Sequence, residues 1–79
     1  MSPKYKLICN LNNILQTKNI TPYRLAKDTQ ERIGTIYKLV SNDIEDARIP
    51  ATLIANICGY LNITMGELFT VIPLEEHVE

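Results

Sequence analysis

The sequence predicts an all-α fold of five short helices. Two observations point there. Apolar residues recur at three- and four-residue steps along most of the chain. Between those runs stand helix start and stop signals: a Thr-Pro pair, a Thr-x-x-Glu box, and asparagines closing the apolar stripes. No strand-like alternation persists, and no repeat of fixed period is present. Seventy-nine residues, 46% of them apolar and 22% charged, suit one soluble globular domain. The domain is read over 1–79, with an ordered core over about 5–73 and a frayed tail over 74–79.

The first helix is expected over about Tyr5–Lys18, because Leu7, Ile8, Leu11, Ile14 and Leu15 fall on one helical face, and Asn19 stops it. The second starts at Ile20-Thr21-Pro22-Tyr23-Arg24-Leu25. Thr21 caps free N–H groups, Pro22 suits the first helical position, and Ile20 and Leu25 form a hydrophobic staple. The third covers about Arg32–Val40, and Ser41 to Asp46 form a polar, acidic loop. The fourth runs from near Pro50 to about Leu61, with Ile54, Ile57, Cys58 and Leu61 as its stripe and Asn62 as its end. Thr64, Glu67 and an Ile63–Leu68 staple then start a brief fifth helix, about Met65–Val71, which Pro73 closes. The two Asn-Ile-Thr triplets match a glycosylation pattern, but their threonines are read as helix caps.

At about 100° per residue, the third helix turns Ile36 and Leu39 to one side, with Val40 at the border. Gly34, Tyr37, Lys38 and Ser41 lie opposite, with Ile33 on the flank. Two short helices joined by a tight turn, the second with a polar outer face, make a helix-turn-helix, the DNA-reading unit. Lys38 suits phosphate or guanine acceptors, and Tyr37 and Ile33 suit a thymine methyl. Gly34 removes a side chain where backbone can approach a duplex. An ordinary solvated face explains the same wheel.

The net charge of −1 conceals a division. Residues 1–40 hold seven cations against two carboxylates, giving +5; residues 41–79 hold Arg48 against seven carboxylates, giving −6. Such asymmetry hints at a nucleic-acid face on the first half. Cys9 and Cys58 are too few and too separated for a disulfide framework or a zinc site, and both are read as small hydrophobes on helical stripes. His77 is assigned to the solvated tail. With no membrane-length apolar run and no signal-peptide cleavage site, a cytoplasmic location is expected. No phosphate-cradling loop, metal-ligand pair or nucleophile–base spacing appears, so neither an enzyme nor a cofactor is expected.

The stretches Ile20-Thr21-Pro22-Tyr23-Arg24-Leu25-Ala26-Lys27 and Thr35-Ile36-Tyr37-Lys38-Leu39, with Leu53 to Leu68 behind them, resemble the Cro-type, lambda-repressor-like (XRE) helix-turn-helix family. The likeness covers about residues 5–73 and is nearest to a small Cro-like subgroup. It implies a five-helix DNA-binding domain with helices 2 and 3 as the helix-turn-helix. It places Ala26 where those helices cross, and Leu25, Ile36 and Leu39 in the motif's core. It implies base or backbone reading by Arg32, Ile33, Gly34, Tyr37 and Lys38. Phosphate contact falls to Thr21, Pro22 and Tyr23 at the second helix start, and to Ser41, Asn42 and Arg48 in the following loop.

Three positions depart from the family pattern. Gln30 stands for the usual turn glycine, Glu31 for an apolar residue, and Arg32 for a capping serine or threonine, so Thr29 is an alternative cap. The implied partner is double-stranded DNA, a near-palindromic operator if domains pair, and the implied role is a regulator, a repressor of phage or mobile-element type. A homodimer would have to use this same small body; the cluster Leu68, Phe69, Val71, Ile72 and Leu74 is available for it. A protein-binding module on the same fold, such as an antitoxin or antirepressor partner, is the competing reading.

Overall fold

The first apolar run divides in two. Tyr5–Cys9 is a β-strand, β1, and helix α1 spans only Leu11–Lys18. Three further helices follow, α2 (Pro22–Thr29), α3 (Ile33–Val40) and α4 (Ala51–Leu61). The single turn α5 (Met65–Leu68) leads into a second strand, β2 (Phe69–Pro73). The computed structural model describes residues 5–45 and 47–74; the expected tail from residue 75 on, with His77, lies outside them. None of the described helices is long and apolar enough to cross a membrane.

The all-α expectation is therefore corrected to five helices plus a two-stranded antiparallel ribbon. Its register pairs Tyr5 with Pro73, Leu7 with Val71 and Cys9 with Phe69. Leu7 and Ile8 do satisfy a helical spacing with Leu11. What overrides it is a partner more than sixty residues away: Phe69-Thr70-Val71-Ile72 is a run of aromatic and β-branched residues that favours a pleated surface. The same pairing ends the fifth helix at Leu68 rather than Val71. It also places Cys9 on a strand rather than on a helical stripe. Asn10 fastens the junction, donating its backbone N–H to the Leu68 carbonyl (2.7 Å) and its side-chain amide to Thr70 Oγ1 (2.9 Å).

Helices α1 to α4 end in one manner. Asn19, Gln30, Asn42 and Asn62 each adopt a left-handed conformation, with φ of 60, 61, 63 and 58°. The next residue in each case donates its N–H back five residues: Ile20 to Leu15, Glu31 to Ala26, Asp43 to Lys38, and Ile63 to Cys58, at 2.9–3.0 Å. This is the Schellman arrangement, which satisfies the last carbonyls and turns the chain away at once. Glycine is the usual residue there, yet this chain's three glycines all lie elsewhere. Asparagine tolerates the left-handed region through local polar contacts, whereas glutamine has no such dispensation.

The helix starts match expectation more closely. Thr21 Oγ1 accepts from the Arg24 N–H, and Thr64 Oγ1 from the Glu67 N–H, while the Glu67 carboxylate accepts from the Thr64 N–H in return. Thus each Asn-Ile-Thr triplet is one connector: the asparagine ends a helix, the isoleucine packs on the core, and the threonine caps the next helix.

The core unites Leu11 and Leu15 of α1, Leu25 and Ala26 of α2, Ile36 and Leu39 of α3, and Leu53, Ile57 and Leu61 of α4. Leu68, Phe69, Cys9 and the loop residue Ile44 close it, and no polar side chain is buried among them. Burial holds the Cys9 thiol above its ordinary pKa, and Cys58 is shifted the same way, so neither is poised as a thiolate.

Asn42 does a second task. Its Oδ1 accepts the Cys9 N–H at 2.8 Å, tying the end of α3 to the ribbon. Gln30→Gly is therefore expected to raise stability by about 0.5–1 kcal/mol by relieving left-handed strain. Asn42→Gly, though equally compatible with the backbone, is expected to lower it by about 1–2 kcal/mol because the Cys9 donor loses its acceptor. Urea unfolding of the two variants measures both signs.

Candidate nucleic-acid interface

Helices α2 and α3 pack directly on one another through Leu25, Ala26, Ile36 and Leu39. Ala26 is small enough to let the axes approach. The turn between the helices is only Gln30-Glu31-Arg32. Because Gln30 is left-handed, the chain reverses without a glycine, and Arg32, extended at φ −72 and ψ 135, occupies the cap position of α3. No side chain caps that helix. Thr29 does not replace Arg32 as its cap: it closes α2, donating its hydroxyl to the Leu25 carbonyl at 2.6 Å.

Burial divides α3 as its wheel requires. Ile36 and Leu39 are 0 and 2% exposed, while Tyr37 is 52% and Ile33 38% exposed. Gly34, Lys38 and Ser41 share the exposed side with them. A Cβ added at Gly34 would meet nothing within 4 Å, and its φ is ordinary for a helix. Nothing within the fold requires a glycine there.

The remaining sequence-predicted residues fall into two groups. Lys38 and Arg48 line one depression of about 280 Å³ between α3 and the loop before α4, which Thr35 also borders. Thr21 and Pro22 line another, of about 340 Å³, against α1, where the exposed amides of Asn12 and Gln16 join them. Tyr23 is 64% exposed on the first turn of α2. Thr35, Asn12 and Gln16 were not among the sequence-predicted positions. The exposed i, i+4 amides Asn12 and Gln16 were the available signal, but only the left-handed turn at Asn19 folds Thr21 back beside them. Asn42 is exposed, yet its side-chain oxygen is engaged by Cys9. The Ser41 hydroxyl donates locally to the Lys38 carbonyl.

Charge on this face is largely uncommitted. Among the described residues the one ion pair is Arg24–Asp28, at 2.8 Å, and Arg32, Lys38 and Arg48 make none. Asp28 also accepts a hydrogen bond from the Tyr60 hydroxyl, and Glu31 accepts one from the Asn56 amide at 3.0 Å. Asn56 and Tyr60 are one turn apart on α4, so the two bonds form a polar seam holding the end of α2 and the turn to α4. Glu31 is thus occupied by a neutral donor, and Arg24 is spent on Asp28 rather than on Glu31.

The hydrogen bond from Tyr60, then that from Arg24, holds the Asp28 carboxyl below its ordinary pKa, and the same bond raises the Tyr60 phenol. The two α2 and α3 cores, the glycine-free turn and the exposed α3 face make a helix-turn-helix in space as well as in sequence.

A family model for the Cro/C1-type HTH DNA-binding domain matches residues 10–73. The chain belongs to that family. The matched segment takes in all five helices and β2 but begins after β1. A crystal structure of the transcriptional regulator VanUg aligns with a TM-score of 0.72 at 22% identity, covering 92% of this chain and 93% of that one. A structure from Bacteroides fragilis, described as a DNA-binding protein, aligns at 0.68 and 19%, covering 81% and 98%. At these identities the likeness establishes the fold alone. No curated protein sequence matches the chain significantly.

A carboxylate with a depressed folded-state pKa adds stability above its unfolded pKa and loses it as pH falls through the folded value. Tyr60→Phe is accordingly expected to melt below the wild type at pH 7. The difference should shrink as pH falls below the ordinary aspartate range and Asp28 takes up its proton in both. Thermal melts across that range measure it.

Proposed function

We propose that the chain is a sequence-specific DNA-binding transcriptional regulator of phage or mobile-element type, acting as a repressor by occupying an operator. The observation that carries this reading is the family match across the helix-turn-helix, joined to an α3 whose outer face is exposed and rich in contact-forming groups. In this reading α3 enters the major groove. Ile33, Tyr37 and Lys38 meet base edges, Gly34 lets the backbone come close, and Arg32 reaches the adjoining strand. Thr21, Pro22 and Tyr23 sit on phosphate at the start of α2, where N–H groups and the helix dipole favour an anion. Arg48, with Ser41 and the free amide of Asn42, flanks the duplex beyond α3. Two copies would place their α3 helices about 34 Å apart on a near-palindromic site.

Mobility shift against a genomic fragment pool tests this, and retention should weaken steeply with salt as phosphate contacts are screened. Absence of any salt-sensitive retention would overturn the reading in favour of a protein-binding module. Two substitution tests are sharper. Lys38→Ala and Tyr37→Ala should each weaken binding at least about tenfold with little change in melting temperature. Gly34→Ala should gain roughly 0.5 kcal/mol of stability from helix propensity and yet bind DNA less tightly.

A further inference from the structure

Helix α3 begins without a side chain to close it. Arg32 stands at its cap position with no capping hydrogen bond, and the Arg32 carbonyl takes the N–H groups of Thr35 and Ile36. The two N–H groups before them, on Ile33 and Gly34, donate to nothing among the described residues. No acidic residue lies in the first turn of α3 either. Free N–H groups and the helix dipole make such an end a place where a carboxylate settles. The chain uses that chemistry at α5, where the Glu67 carboxylate accepts from the Thr64 N–H at 2.8 Å.

A carboxylate is at hand for α3 as well. Glu31 immediately precedes the cap residue Arg32. Its side chain is turned the other way, to α4, where Oε2 accepts from the Asn56 amide at 3.0 Å. That neutral donor is the one partner the Glu31 carboxylate has among the described residues. No cation holds it: Arg24 is committed to Asp28 at 2.8 Å, and Arg32 makes no ion pair with it. The place of this charge therefore depends on one side chain of α4.

We infer that Asn56 is a positioning residue for DNA recognition: by holding the Glu31 carboxylate on α4, it keeps a negative charge off the open N-terminus of α3. A recognition helix meets base edges through its N-terminal residues. A carboxylate folded over Ile33 and Gly34 would occupy their N–H groups and repel the phosphates alongside. Asn56 acts through Glu31 alone. The inference deepens the DNA-binding reading and rests on it for the effect on affinity, but not for where the carboxylate sits.

Two measurements keep those parts separate. Amide hydrogen exchange without DNA reads the carboxylate's position. Asn56→Ala should slow exchange at Ile33 and Gly34 by about threefold or more, and adding Glu31→Gln should return it to the wild-type rate. Asn56 is exposed, and circular dichroism should show both variants folded. The second measurement titrates DNA that the wild type has selected from a random pool. Asn56→Ala should weaken binding about tenfold, and the double variant should recover to within about twofold of wild type. A merely structural loss would persist in the double variant, since Glu31→Gln puts back no contact with α4. Unchanged exchange in Asn56→Ala would overturn the inference. So would unchanged DNA affinity, or a weakened affinity that Glu31→Gln does not restore. A wild type that selects no DNA would overturn the role in recognition together with the DNA reading, and the exchange rates would still decide where the carboxylate sits.

Discussion

Helices of eight residues do not persist in water, because nucleation consumes most of what so few hydrogen bonds return. Three of the helices in this chain have that length, α5 is shorter still, and only α4 reaches eleven residues. Each exists because its apolar side is held against its neighbours, and that in turn requires each helix to stop sharply and the chain to turn away at once. The left-handed residue after each of the first four helices meets this requirement. It satisfies the final carbonyls, ends the helix sharply, and leaves the next residue pointing at the following element. At the Asn-Ile-Thr connectors that residue is an isoleucine that joins the core. At Gln30 and Asn42 it is Glu31 or Asp43 instead, and the chain stays polar on either side of α3.

Much of this was legible in the sequence because it is local. A threonine before proline, a Thr-x-x-Glu box and an asparagine after an apolar stripe act through atoms only a few residues apart. Helices α2, α3 and α4 accordingly begin and end close to where the pattern puts them. The buried and exposed sides of α3 follow from its turn angle alone. The ribbon was not legible, since Leu7 and Ile8 suit either period and the deciding partner, Val71 and its neighbours, lies at the other end of the chain. The polar seam was hidden for a similar reason. Nothing near Asp28 or Glu31 in the sequence announces Tyr60 or Asn56, which reach them only once α4 crosses behind α2.

The three departures of the turn from the family pattern resolve differently. Gln30 occupies the glycine position at a conformational cost and changes no geometry. Arg32 leaves α3 without a side-chain cap, and its carbonyl instead accepts from the Thr35 and Ile36 N–H groups. Glu31 exchanges an apolar contact for a hydrogen bond to α4. The scaffold is therefore conventional at its core and modified at the polar margin of its turn, where a duplex would lie near.

Because Tyr5 and Pro73 are paired, the two strands stand side by side, roughly 5 Å apart at the backbone. A short tether could join them into a closed ring, and the chain could then be opened at an exposed loop such as the one around Glu45 without disturbing a helix. The same adjacency would let the domain be carried within a loop of a larger protein as a single inserted module. In either setting the attachment lies on the ribbon, remote in the sequence from the turn after α2 and from the exposed side of α3.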